Sequence, residues 1–244
     1  MRTGYNGVEI RKRRRTTLGK SIYSLALSDE IIREIDALAY EQNTNRSSLI
    51  NSILADYVQL TTPEQRMREV FDRMETLLLG SDTFPTPFQL LSLPSDTMMN
   101  LRSSIRYKYN PTAKYSVELY RQPEDGVFGE LRVSIRTQNR TLIGVLQDFY
   151  DLWAREESRY RDVEYTVDEQ GRYSRKLRLS FRTDGEEALS GLTVGDVLSR
   201  YITAFDKALK SYFDALQEDG VTREQAERGI HDIYEEYSKG EVVL

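Results

Sequence analysis

The sequence predicts a mainly α fold with an α+β portion, in which a small N-terminal domain precedes a larger C-terminal one. Three observations predict this class. A short alternating segment runs directly into two amphipathic helical segments, two later pairs of alternating segments are each separated by a turn sequence, and long helical stripes follow them. With 244 residues, the chain is long enough for one large or two modest domains.

A change of period defines the first elements. Tyr23, Leu25 and Leu27 alternate and predict a strand from Ser21 to Leu27, after which Ser28 is expected to cap a first helix. A turn at Asn43-Thr44-Asn45 then leads to a second helix, capped by Asn45. The apolar stripes of these two helices are Ile31, Ile32, Ile35, Leu38 and Ala39, and Leu49, Ile50, Ile53, Leu54, Tyr57 and Val58.

The predicted strand has no neighbour in the chain with which to pair. A lone strand cannot satisfy its own backbone amides and carbonyls, and two short helices bury too little surface to fold alone. Both problems disappear if two copies of the chain pair their strands as an antiparallel ribbon covered by four helices. The sequence therefore predicts a homodimer.

This order of strand, "LALSDEI" at Leu25–Ile31, helix, "NTNRSSLI" at Asn43–Ile50 and helix resembles the ribbon–helix–helix family of DNA-binding proteins, of the Arc, MetJ and CopG type. The resemblance covers residues 20–60. It implies a dimer that inserts its ribbon into the major groove of double-stranded DNA and sets the start of the second helix against the phosphates. The family's turn usually carries Gly where this chain has Asn43, which also tolerates a left-handed backbone.

Charge adds a second indication of a polyanionic partner. Residues 1–20 hold seven basic residues and one acidic residue, whereas residues 61–244 hold 25 and 32, within an overall net charge of −5. A basic arm at residues 1–19, which we expect to be flexible, is suited to a DNA backbone but equally compatible with a solvated tail. The expected DNA contacts are Arg11, Lys12, Arg13, Arg14, Arg15, Lys20, Ile22, Ser24, Ala26, Asn45, Arg46 and Ser47. The expected dimer core is Tyr23, Leu25, Leu27, Ile31, Ile35, Leu38, Leu49, Ile50, Ile53 and Leu54.

The predicted reading face of the ribbon is poor in hydrogen-bonding groups. It consists of Ile22, Ser24 and Ala26, whereas family members typically carry Arg, Lys, Asn, Gln or Thr there. Specificity is therefore expected to be low, or to come from DNA shape, the arm or several dimers binding together. The main expectation is a transcriptional repressor. The alternatives are a non-catalytic dimerisation or scaffolding module, a DNA-partition accessory protein, and an ordinary α+β fragment.

The region after residue 60 begins with a third predicted helix. Thr62, Pro63 and Gln65 form a helix start, the stripe Met67–Leu78 gives an apolar face, and Gly80 ends it. Because several prolines follow, we assign residues 61–94 to a helical linker and residues 95–244 to an α+β domain with an oligomerisation or regulatory role.

In that domain we expect two antiparallel hairpins and three helices. The hairpins are 114–121 with 127–137, and 159–167 with 172–182; the helices are 141–157, a long one after Thr193 and a last one from Thr222. The outward strand positions would carry five basic residues, Arg132, Arg136, Lys176, Arg178 and Arg182. These either form a second site for nucleic acid or an acidic partner, or pair with Glu118 and Glu164 on neighbouring strands.

Composition argues against catalysis. The chain has no cysteine and one histidine, His231, and it lacks a P-loop, a Rossmann glycine fingerprint and a histidine-based metal motif. We therefore expect no enzyme activity, no cofactor and no metal. Gly195 in "LTVGD" fits an ordinary helix start, and His231 and the scattered acidic residues are interpreted as surface groups. Without a long apolar run or a secretory signal, a cytoplasmic protein without a membrane partner is expected.

Overall fold

The computed structural model describes residues 26–58, 60–80, 87–108, 110–181, 193–218, 222–240 and 242–244. The chain forms two units that divide between Leu54 and Ala55. Residues 21–25 of the predicted strand at 21–27 lie outside the described residues. The last two residues of that prediction, Ala26 and Leu27, are described and have no regular secondary structure.

The first unit contains helix α1 (Asp29–Glu41) and the start of helix α2 (Arg46–Tyr57). The predicted caps are confirmed. Oγ of Ser28 accepts the amide of Ile31 (3.4 Å), and Oδ1 of Asn45 accepts that of Ser48 (2.9 Å). Between the helices, Asn43 adopts a left-handed conformation with φ of 51°, the role that glycine usually fills at such a turn.

The second unit contains helix α3 (Pro63–Leu79), which begins with the predicted capping box between Thr62 and Gln65. Its buried side chains, Met67, Phe71, Met74 and Leu78, belong to the main hydrophobic core. Residues 63–79 therefore form part of the C-terminal unit, whereas the sequence indicated a linker. The amphipathic stripe was identified, but its packing partner lies more than a hundred residues further along the chain.

Among the described residues, six strands form one antiparallel sheet in the order β1-β2-β3-β4-β6-β5. They are β1 (Phe88–Leu90), β2 (Met98–Ser104), β3 (Thr112–Glu124), β4 (Val127–Ile135), β5 (Tyr165–Val167) and β6 (Tyr173–Leu177). Strands β7 (Ser180–Phe181) and β8 (Val242–Val243) pair separately. The mixed α+β class and both hairpins are confirmed, although β5 and β6 are shorter than predicted and β1 and β2 were missed.

Helices α4 (Arg140–Ser158), α5 (Val194–Ala215) and α6 (Arg223–Ser238) complete the second unit. Thr193 caps α5 as predicted, and Thr222 caps α6 where a helix start was predicted, each with a capping box. Phe205 of α5 lies at the centre of an aromatic core, with ring-to-ring distances of 5.2 Å to Trp153 and 6.2 Å to Tyr115. Alternate sheet residues face this core, so the opposite face of the sheet carries the exposed and half-buried side chains.

Gly195 has a specific packing role at the start of α5. A Cβ atom there would lie 2.8 Å from both the carbonyl oxygen of Val70 and Cβ of Arg73 on α3. The absence of a side chain thus allows the two helices to approach closely. In the part of the chain that the structure describes, no helix is both long and apolar enough to cross a membrane.

Candidate functional site

Most of the expected DNA contacts fall outside the described residues. These are Arg11, Lys12, Arg13, Arg14, Arg15, Lys20, Ile22 and Ser24, and the expected dimer-core residues Tyr23 and Leu25 fall there too. The structure places Ala26 just before α1, and Asn45, Arg46 and Ser47 at the start of α2, all four exposed. The described part of the candidate site is therefore the N-terminus of α2 with the facing surface of α1.

The start of α2 has the features of an anion-binding helix end. No acidic residue lies in its first turn. The side chain of Asn45 accepts a hydrogen bond from one backbone amide, that of Ser48. The positive end of the helix dipole lies beside the exposed side chains of Arg46 and Ser47. A phosphate group fits such a position.

Arg46, however, already has a partner on α1. Its Nε donates to Oδ1 of Asp36 over 2.6 Å, and its Nη2 pairs with Oδ2 of the same carboxylate. The hydrogen bond from Arg46 lowers the pKa of Asp36, and the same bond raises the pKa of Arg46. Both side chains are about half exposed, so solvent screens the pair and Arg46 can exchange this carboxylate for another anion. Sequence inspection missed this pair because the two residues meet only through the turn between the helices.

The first unit leaves much of its apolar surface uncovered. Its core consists of Ile35, Ala39 and Leu49, with Ile50 packed against it. Five other expected dimer-core residues remain exposed: Leu27 (39%), Ile31 (49%), Leu38 (41%), Ile53 (45%) and Leu54 (51%). In one copy of the chain, these helices thus carry apolar side chains well beyond what their own core covers.

The basic residues on the open face of the large sheet are mostly paired. Arg132 lies 2.9 Å from Glu118, Lys176 lies 3.6 Å from Glu130, and Arg178 lies 2.7 Å from Glu164. The second of the two interpretations, cross-strand pairing with Glu118 and Glu164, is therefore confirmed for Arg132 and Arg178. Arg136 is exposed, and Arg182 lies outside the described residues.

Several acidic groups lie in the core, which corrects their interpretation as surface residues. Glu157 and Arg175 form a buried ion pair. Asp206 is also buried, accepts a hydrogen bond from the Tyr115 hydroxyl (2.8 Å) and pairs with Lys210 (2.7 Å). One signal was present in the sequence, since Arg175 occupies an inward position of β6 between Tyr173 and Leu177.

His231 is half-buried rather than a free surface group. Its Nδ1 lies 2.9 Å from Oε2 of Glu156, which also accepts a hydrogen bond from Arg159. Within the described ranges, no three His, Asp or Glu side chains are grouped so that they could hold a metal ion.

Comparisons with protein-family models, with curated proteins and with solved structures give no significant match to this chain. The function proposed below is therefore based on the sequence pattern and on the geometry of the described residues.

Proposed function

We propose that the chain is a double-stranded DNA-binding protein that acts as a homodimer, and that it serves as a transcriptional repressor. The observation that carries the proposal is the α1–turn–α2 unit, whose apolar residues are too exposed for a finished single-chain core. A second copy, joined through the predicted strand at Ser21–Leu27, would cover Ile31, Leu38, Ile53 and Leu54.

The capped turn supports the same proposal. The left-handed Asn43 and the cap at Asn45 define the start of α2, where the exposed first turn would meet a phosphate and Arg46 would exchange Asp36 for it. In the proposed complex the paired strands enter the major groove, and the basic arm lies along the backbone or in a minor groove. The arm and the helix ends then provide affinity that depends strongly on salt.

Base reading by the proposed ribbon is weak, because Ile22 and Ala26 offer only apolar contacts and Ser24 a single hydroxyl. A bidentate base contact supplies about 1–3 kcal/mol of discrimination, and these three side chains form none. We therefore propose that specificity comes from adjacent dimers bound to repeated half-sites. Titration of duplexes with one site and with several sites tests this, and equal affinity per site on both would contradict it.

The second candidate is a dimerisation or scaffolding module that binds no DNA. The pairing of Arg46 with Asp36 favours it, because the described cation nearest the helix end is already neutralised. The two candidates share the dimer and differ in their response to DNA.

Fluorescence anisotropy with a labelled duplex at increasing salt concentrations separates the two. We expect tight binding at low salt, and each phosphate that the protein neutralises should add about 0.9 to the steepness of log affinity against log salt. Arg13→Gln/Arg14→Gln should flatten this slope. Arg172→Gln/Arg228→Gln, which removes the same charge from exposed sites of the second unit, should leave it nearly unchanged.

A dimer that binds no duplex at low salt would favour the scaffolding candidate. If the salt dependence of Arg13→Gln/Arg14→Gln is unchanged, the arm is excluded from the DNA interface. The N-terminus of α2 in each copy then remains the proposed contact with the phosphates.

A further inference from the structure

A groove of about 440 Å³ crosses the second unit between helices α3, α5 and α6. Its apolar lining comes from all three helices, with Leu78 on α3, Ala204 on α5, and Ile233 and Tyr237 on α6. It is an open surface groove, so a ligand in it would remain partly exposed to solvent. The groove lies entirely within one unit.

Two cations on α5 border the groove. Arg200 and Lys207 are seven residues apart, which places them about 10 Å apart along one side of the helix. Neither has an ion-pair partner among the described residues, in contrast to the paired basic residues of the sheet. Glu236 on α6 also lines the groove, so the charged groups around it leave a net charge of +1.

The backbone of Gly240 makes room for the guanidinium of Arg200. A Cβ atom at position 240 would overlap Nη2 of Arg200, so the guanidinium occupies space that any other residue would fill. The guanidinium is thus placed beside the C-terminal end of α6, at the border of the groove.

Ser199 gives an independent indication of a ligand. It lines the groove and is 3% exposed, and its hydroxyl has no hydrogen-bond partner among the described residues. A buried hydroxyl without a partner costs free energy unless something satisfies it. The hydroxyl is closed to solvent in this structure, so a polar atom of a ligand bound along α5 would provide the missing contact after the side chain turns toward the groove.

We propose that this groove binds a small organic monoanion with an apolar body, of the class of medium-chain carboxylic acids. The apolar lining contacts the hydrocarbon part, and the carboxylate accepts charge-assisted hydrogen bonds from Arg200, with Lys207 adding positive charge along the same side of α5. The net charge of +1 suits one carboxylate better than a polyphosphate, which Glu236 would repel. This proposal does not depend on DNA binding.

Isothermal titration calorimetry of the full chain with decanoate, and with decanol as the uncharged control, tests the proposal. We expect decanoate to bind at least tenfold more tightly than decanol, because only the carboxylate satisfies the cations. Arg200→Gln should remove most of this difference. Arg228→Gln, at an exposed position of α6 outside the groove, should retain it.

A second variant locates the bound hydrocarbon. Ala204→Phe fills the groove and should abolish the binding of both compounds, with circular dichroism confirming that the variant is folded; if it is not, Arg200→Gln decides alone. Equal affinities for decanoate and decanol, no binding of decanoate, an unchanged preference for decanoate in Arg200→Gln, or unchanged binding in a folded Ala204→Phe variant would each overturn the proposal.

Discussion

Glu157 of α4 and Arg175 of β6 form an ion pair in the core, with Oε2 of the carboxylate 3.2 Å from Nε of the guanidinium. The side chains are 0% and 3% exposed, and the guanidinium also lies over the ring of Tyr201, 4.7 Å from its centroid. Burial alone would lower the pKa of Arg175, but the Glu157 carboxylate and the neighbouring tyrosines together outweigh it, so the net pKa is raised. Arg175 therefore remains charged inside the core. The stability of the second unit depends on the Glu157 carboxylate that compensates this charge.

Removal of one partner should destabilise the second unit strongly. Glu157→Gln leaves the charge of Arg175 buried without compensation, which costs about 3–5 kcal/mol. Urea denaturation measures the loss. Glu164→Gln is the matched control, because its pair with Arg178 is exposed and contributes roughly 0–1 kcal/mol. Similar losses in the two variants would mean that burial does not govern the pair.

Substitution of two glycines by alanine should change the free energy of unfolding in opposite directions. Gly195→Ala brings a methyl group within 2.8 Å of α3 and should cost about 1–3 kcal/mol. Gly144→Ala lies within α4 and meets no atom within 4 Å, so its better helix propensity should stabilise by about 0.5–1 kcal/mol. Thermal unfolding of both variants tests the close approach of α3 and α5. A neutral Gly195→Ala would contradict that packing.

The buried tyrosines predict a loss of stability at high pH. Burial raises the pKa of Tyr237 to about 12 and those of Tyr115, Tyr173 and Tyr201 well above their usual value. A tyrosine titrates near pH 10 in the unfolded chain, so its contribution is complete below about pH 10. Above that pH the unfolded state gains by ionising, and the contribution of Tyr237 is lost as the pH rises to about 12.

Urea titrations at a series of alkaline pH values, with tyrosinate absorbance as a second signal, should therefore give a falling free energy of unfolding. Tyr237→Phe should reduce the steepness of this fall. A free energy of unfolding that stays constant from pH 9 to pH 12 would contradict the burial of these hydroxyls.

The exposed apolar residues of the first unit predict that one charged substitution among them disrupts the dimer. Leu38→Asp puts a carboxylate into the proposed interface and should weaken association roughly a hundredfold or more. Ala37→Asp adds the same group at an exposed position one residue away, on a different side of α1, and should have little effect. Sedimentation equilibrium measures both. If Leu38→Asp and the parent chain associate equally, the apolar residues do not form the dimer contact.

Asp36 competes with DNA for Arg46 in the proposed complex. Asp36→Asn should release the guanidinium, raise affinity for a duplex and steepen its dependence on salt. Glu34→Gln removes the same charge from an exposed position of α1 and controls for the change in net charge. Equal gains in the two variants would indicate a general electrostatic effect instead of a contact through Arg46.

Local signals in the sequence predicted local structure well. Ser28, Asn45, Thr62 and Thr193 each cap the helix that they were expected to cap, and Thr222 caps the helix that was expected to start there, because a cap needs only the residues of its own first turn. The first hairpin was likewise predictable from its turn, where Asp125 and Gly126 both have positive φ.

Contacts between distant segments were not predictable in the same way. The stripe on α3 indicates that one face is buried but does not identify α5 as a main partner. Strand β2 was missed because short β1 and the prolines around residues 85–94 obscure its alternation. For the candidate site, the position of Asn45, Arg46 and Ser47 at the start of α2 was foreseen. The pairing of Arg46 with Asp36 needed the relative placement of two helices.

The burial of α5 has a consequence for the order in which the protein is made. Helix α5 supplies much of the core against which the sheet packs, including Phe205, yet it follows β2 by about a hundred residues. At ribosomal rates of about 5–20 residues per second, the inner face of β2 stays without this cover for roughly 5–20 s. During that interval we expect the nascent chain to expose Leu101, an apolar side chain of the kind that chaperones bind, before α5 is made.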